Sequence, residues 1–153
     1  MPLDELDKRL LNQLQDNCDL SNQDLAELVH VSAPTCLRRV RRLKQEGYIR
    51  KQVALLEPSK IQAGLTVIVE LTLDQQGAEH VDEFERRMQS ESAVQQCYHV
   101  ATGPDFILIL YVPTMQAYHE LAHQLFSSHR NVRNVRSFFS VHQSKFDTRY
   151  PIP

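Results

Sequence analysis

The spacing of apolar residues changes period along the chain, and that change bounds what it can fold into. From Leu6 to Leu43 apolar side chains recur every three or four positions, the interval that lines one face of a helix. From Leu65 onward they alternate with a period of two, as in strands with one face buried. Helices alone at the start, then strands interleaved with helices, predict an α+β chain. Its 153 residues are enough for one ordinary domain or two small ones.

In the first part, Leu6, Leu10 and Leu14 predict a helix from about Asp4 to Asp16. Ser21 caps a second helix, with Asp24 at the fourth position of a near capping box and Leu25, Leu28 and Val29 facing inward. His30-Val31-Ser32 forms a tight turn, and Ser32 caps a third helix with Pro34 in its first turn. Gly47 ends that helix at about Glu46. Two short helices joined by a tight turn make a helix-turn-helix. Tyr48 to Leu56 alternates enough for a short extended wing, and Glu57-Pro58-Ser59-Lys60 begins a linker. The second part then reads as strand 65–73, helix 77–91, strand 94–102, strand 105–112, helix 114–128 and a long strand from 132 to about 145. The order βαββαβ predicts a ferredoxin-like antiparallel sheet with both helices on one face. The expected organisation is therefore a winged helix-turn-helix domain at 1–50, wing and linker at 51–64, and a ferredoxin-like domain at 65–153.

The net charge of −2 conceals a concentration of bases. Residues 1–37 carry seven acids against two bases, whereas residues 38–51 carry seven bases against Glu46 alone. Such a block suits a polyanion, although a solvated helix face would also carry it. On the third helix Cys36, Val40 and Leu43 fall together and face the core; Pro34, Arg38, Arg42 and Gln45 point the opposite way, flanked by Thr35 and Arg41. The start of the helix (Ser32, Ala33, Pro34, Thr35 and Arg38) is placed to reach base edges in a groove of double-stranded DNA. Arg39, Arg41, Arg42 and Lys44 are placed for phosphates.

In the third strand Phe106, Leu108, Leu110 and Val112 point to one face, and Ile107, Ile109 and Tyr111 to the other. A sheet with helices on one side should show water on the other, so this second apolar face predicts a homodimer packed sheet on sheet. Two copies also suit a helix-turn-helix, which reads paired half-sites.

Several function classes are expected to be absent. No apolar run approaches a membrane span, and Met1 to Lys8 lacks a signal peptide's basic start and apolar core. Cys18, Cys36 and Cys97 are too few and too scattered for a disulfide framework or a metal knuckle, so a cytoplasmic protein without a cofactor is expected. His119-Glu120-Leu121-Ala122-His123 matches the HExxH pattern of zinc peptidases, and His129 falls where a third ligand would lie. Phe126 stands where that pattern needs a turn-forming glycine, and no glutamate follows Glu120 to complete the other zinc set. The histidines read as surface residues, with no metal site and no catalytic residues.

Leu20-Ser21-Asn22 through Leu25, Val31-Ser32-Ala33-Pro34-Thr35-Cys36-Leu37-Arg38-Arg39-Val40-Arg41-Arg42-Leu43 and Glu46-Gly47-Tyr48-Ile49 resemble the Lrp/AsnC family. These are the leucine-responsive and asparagine-responsive regulators of bacteria and archaea. The similarity runs on through Ala54-Leu55-Leu56-Glu57-Pro58 into the second half. It implies a transcriptional regulator whose dimers assemble into tetramers or octamers, with an amino-acid effector bound between dimers. The family's glycine and aspartate before the third strand are matched by Gly103-Pro104-Asp105-Phe106, with the glycine two residues ahead of the aspartate where three is commoner. By that layout Asp105 receives the effector's ammonium and backbone N–H groups around Gly103 hold its carboxylate. Arg133, Asn134, Val135 and Arg136 form the facing wall, and Val135 with Tyr98 suits an apolar side chain such as leucine or methionine. Read without the resemblance, Gly103 to Asp105 is an ordinary tight turn. An architectural DNA-binding protein that ignores metabolites is the alternative expectation.

Overall fold

The computed structural model describes residues 2–153, leaving Met1 outside the described residues. The chain forms two compact units, one built from residues up to Leu55 together with Lys145–Pro153, the other from Leu56–Ser144.

The first unit is α1 (Glu5–Asp16), α2 (Asn22–Leu28) and α3 (Ala33–Gln45). Asp4 and Asp7 close a reciprocal capping box at the start of α1, each side chain accepting the other's backbone N–H. Ser21 accepts the Asp24 N–H at the start of α2. His30 adopts φ of 58° in the turn before α3, and Gly47 adopts φ of 80° after it, the left-handed position that ends a helix. The core is Leu10, Leu11, Leu25, Ala26, Val29, Cys36 and Leu43. Leu28, expected to face inward, is exposed, because α2 and its C-cap turn Leu25, Ala26 and Val29 to the core instead.

Lys145–Pro153 returns to this unit as a strap along α1. Gln15 clasps Tyr150 by two hydrogen bonds, its amide donating to the Tyr150 carbonyl at 3.0 Å and its oxygen accepting the Tyr150 N–H at 2.6 Å. Arg149 pairs with Asp16 and donates to Asn12, and Ile152 packs against the helical core. The sequence places these residues in a ferredoxin-like domain running to 153; the structure assigns them to the helices.

The second unit is β1 (Leu65–Leu73), α5 (Ala78–Ser90), β2 (Val94–His99), β3 (Phe106–Val112), α6 (Met115–Ala122) and β4 (Val132–Phe139), after a short α4 (Pro58–Ile61) that the sequence does not announce. The strand order is β2-β3-β1-β4 and every pairing is antiparallel, the ferredoxin-like arrangement. Val67, Val69, Leu71, Leu73, Phe106, Leu108, Leu110 and Val112 meet Phe84, Met88, Tyr118 and Phe126 in one core. The helix after Thr114 passes into a π turn at His123–Ser127. β4 stops at Phe139, six residues short of the expected end.

Residues 50–57 contain no strand, so the extended wing expected at Tyr48–Leu56 does not form a β-ladder. Alternation alone cannot make a strand; the ladder needs a partner within reach. Val53, Leu55 and Leu56 are exposed there. Among the described residues no helix is long and apolar enough to cross a membrane.

Candidate nucleic-acid interface and ligand pocket

The face of α3 away from the helical core exposes Pro34, Leu37, Arg38, Arg41, Lys44 and Gln45. Cys36 and Leu43 anchor the opposite face at full burial, and the Asn22 amide donates to the Ala33 carbonyl at 2.9 Å, tying the start of α2 to that of α3. Ser32 holds Thr35 through their hydroxyls rather than capping the helix by its side chain. Ser32 and Pro34 are exposed, with Ala33 and Thr35 half-buried behind them.

Arg39 and Arg42 are not on that outward face. Asp7 is fully buried, and its carboxylate accepts from Arg39 Nη1 at 3.2 Å, from Arg42 Nη2 and from the Asp4 N–H. Arg39 also pairs with Asp4. The Asp7 N–H and then the Arg39 guanidinium hold the Asp4 carboxyl below the usual carboxylate range, and Asp4 in turn raises Arg39 above its ordinary value. Helical angles alone place Arg42 outward; its long side chain reaches back to a carboxylate that only the packing of α1 on α3 brings there. Sequence reasoning missed Asp7; the signal for it is an acid among Leu3, Leu10, Leu11 and Leu14, a position that demands a cation when buried.

At one end of the sheet, two chain segments flank the end of β1. On one side, Gly103 takes φ of 90° in the turn before β3. Asp105 Oδ2 accepts the Leu73 N–H at 2.6 Å and the Gln76 amide at 3.3 Å. On the other side, the Asn131 carbonyl accepts the Asp74 N–H at 2.9 Å and its side chain bonds the Gln75 backbone in both directions. Gly103, Pro104 and Asp105 thus share an end with Arg133 and the start of β4, one strand apart. Sequence reasoning missed Asn131 and Gln76, and the signal for both is only that they adjoin strand ends.

The remaining residues of the expected wall divide. Tyr98 pairs with Ile107 and Arg136 with Glu70, on the sheet face away from the helices, as does Asn134 opposite Thr72. Val135 pairs with Leu71 and packs into the core on the other face. Tyr98 and Val135 therefore do not form one wall within a protomer, because strand alternation sends them to opposite sides. The open face carries Ile68, Ile107, Ile109, Tyr111 and Phe138, ringed by Tyr98 and the Glu70–Arg136 ion pair, with the Arg136 guanidinium 5.2 Å from the centre of the Phe138 ring.

His119, Glu120 and His123 are exposed, with Glu120 accepting from Gln116, while His129 faces Glu83 on another helix. Among the described residues no three potential ligands gather for a metal ion.

Comparison with known proteins fits both halves. A family described as winged helix-turn-helix DNA-binding matches residues 3–50, and one described as the Lrp/AsnC ligand binding domain matches residues 66–150. The leucine-responsive regulatory protein of Escherichia coli is 33% identical over 150 residues, covering 98% of this chain and 92% of the relative. An HTH-type transcriptional regulator of Haemophilus influenzae is 34% identical over 146 residues, covering 95% and 87%. Among solved structures, an AsnC family transcriptional regulator from Agrobacterium tumefaciens superposes with a TM-score of 0.90 at 30% identity over 97% of each chain. A transcriptional regulator from Neisseria meningitidis in complex with L-Met gives 0.90 at 27% identity over 98% and 97%.

Proposed function

The chain belongs to the Lrp/AsnC family of transcriptional regulators, and from that premise we propose that it reads double-stranded DNA under the control of a small amino acid of the leucine or methionine type. The family's members are regulators rather than enzymes. The observation that carries the DNA reading is the outward face of α3, where Arg38, Arg41 and Lys44 stand exposed on a helix fixed from behind by Cys36 and Leu43. Ser32, Ala33, Pro34, Thr35 and Arg38 meet base edges, and Arg41 and Lys44 meet phosphates.

The effector reading rests on the turn at Gly103 to Asp105. A free amino acid must have both its charges satisfied when it leaves water. Asp105 uses Oδ2 for both Leu73 and Gln76 and offers Oδ1 to the ammonium. The carboxylate falls to the N–H groups of Thr102 and Gly103, because Pro104 has none and the Asp105 N–H is bonded to the Leu71 carbonyl. A methionine complex in the Neisseria neighbour and leucine in the name of the Escherichia coli relative support an apolar effector. Two copies pack their open sheet faces together, covering Ile68, Ile107, Ile109 and Phe138 in the cytoplasmic protein. Tetramers or octamers then bring a second dimer against Gly103, supplying the wall that one protomer divides between two faces. By linkage, effector and operator change each other's affinity by one common factor.

Two measurements test this. A thermal-shift screen against the twenty amino acids should show a concentration-dependent rise with leucine or methionine. No rise with any of them at millimolar levels would overturn the effector reading in favour of an architectural role. Arg38→Ala should weaken operator binding by roughly 1–3 kcal/mol and binding to random DNA much less. Equal loss on both would reassign Arg38 to a phosphate.

A further inference from the structure

The basic helix α3 carries five cations, yet the structure treats them in two ways. Arg38, Arg41 and Lys44 are exposed. The side chains of Arg39 and Arg42 are only 25% and 24% exposed, and both guanidinium groups are engaged by carboxylates at the start of α1, Asp7 within it and Asp4 at its N-cap. We propose that Asp7, with Asp4 beside it, acts as an internal counter-anion that withholds Arg39 and Arg42 from DNA, leaving α3 three cations for DNA instead of five. The inference rests on the DNA reading above and concerns how much of this helix's charge DNA can use.

Three features support it. Asp7 is the buried charged residue among the described residues, and both its oxygens are occupied. To reach a phosphate, Arg42 would leave that carboxylate buried without its main partner, an exchange of one anion for another that also strands a charge in the core. Finally, Asp4 and Asp7 are held in place by their mutual capping box, so the anions sit in fixed positions at the start of α1.

Withholding cations has a functional result. Each phosphate neutralised contributes about 0.9 to the slope of log affinity against log salt. Between 50 and 200 mM salt one contact therefore changes sequence-independent affinity by about 3.5-fold, and two by about 12-fold. The aspartates lower the chain's hold on DNA of any sequence by about the same factor and make that hold less sensitive to salt, while leaving the base-facing side chains in place.

The test is a salt titration of the full chain on a random-sequence duplex. Arg41→Gln should lower the slope by about 0.9, whereas Arg39→Gln should leave it unchanged. Asp4→Ser, which keeps an acceptor for the capping bond and removes one of the charges on Arg39, should steepen the slope, and Asp7→Asn should steepen it by about 0.9 to 1.8. Circular dichroism checks the fold of each variant. If Asp7→Asn does not fold, the comparison of Arg39→Gln with Arg41→Gln still decides. Equal slope losses in those two variants would overturn the proposal. A wild-type chain with no salt-dependent binding, unaffected by Arg41→Gln, would instead overturn the DNA reading on which it rests.

Discussion

Asp105 performs a structural task in the free chain and a proposed ligand task, and two substitutions separate them. Its Oδ2 accepts the N–H of Leu73, a residue buried in the core of the sheet unit. Asp105→Ala removes that acceptor, and an unpaired N–H at a buried position costs about 1–3 kcal/mol. For a unit spanning Leu56–Ser144 a loss of about 2 kcal/mol lowers the melting temperature by roughly 8–16 °C. Asp105→Asn keeps an oxygen for Leu73 and should cost less than about 1 kcal/mol, but it presents no charge to an ammonium. A lost hydrogen bond to a charged group is worth about 1.5–3 kcal/mol, or roughly 10- to 150-fold in Kd. With effector at 100 times the wild-type Kd, ligand stabilisation is about 2.7 kcal/mol. A 100-fold weaker variant keeps only about 0.4 kcal/mol under the same conditions. Differential scanning calorimetry of the three proteins, each with and without leucine and methionine, reads both effects. Ligand stabilisation undiminished in Asp105→Asn would refute Asp105 as the ammonium's partner. An Asp105→Ala protein as stable as wild type would refute the argument from the Leu73 hydrogen bond.

Ile152→Ala should destabilise the helical unit by about 1 kcal/mol, because the side chain is partly buried against its core; hydrogen exchange in α1 to α3 reads this, and no change would show the strap is not seated there. At pH 8 a thiol reagent should label exposed Cys18 while sparing Cys97, whose thiol burial and the nearby Glu85 push up to about 11, so that about one molecule in a thousand carries the thiolate. Peptide mass spectrometry checks this, and comparable rates at both sites would contradict it. Burial and then the Arg87 charge lower the pKa of His129 below its ordinary value, so the folded chain binds fewer protons there than the unfolded chain. Its contribution is complete above about pH 6.5 and is lost as the pH falls below that; His129→Asn should flatten the pH dependence of stability below about pH 6.5.

Regular patterns were legible in the sequence, and partners brought from a distance were not. β1 spans Leu65–Leu73 as its alternation predicts, and the strand order follows from βαββαβ. The helix-turn-helix was readable from Ser21, Ser32, Pro34 and Gly47, residues whose effects are local. The expected wing at Tyr48–Leu56 forms no strand, because pairing depends on a second strand that alternation does not report. Arg39 and Arg42 were misplaced because their partner, Asp7, lies on another helix, more than thirty residues away along the chain. In the candidate ligand site, Gly103 and Asp105 are local turn residues and carried a signal, whereas Asn131 joins them only through the end of β1.

The strap also sets a timetable for biosynthesis. The three helices of the first unit are translated by Gln45, but Ile152, which packs against their core, leaves the ribosome about a hundred residues later. At synthesis rates of about 5–20 residues per second that interval is on the order of 5–20 s. During it the whole sheet emerges and can close before the helices receive their last apolar contact. The helices that carry the DNA-binding face are thus translated before the sheet, and the residue that packs against their core after it.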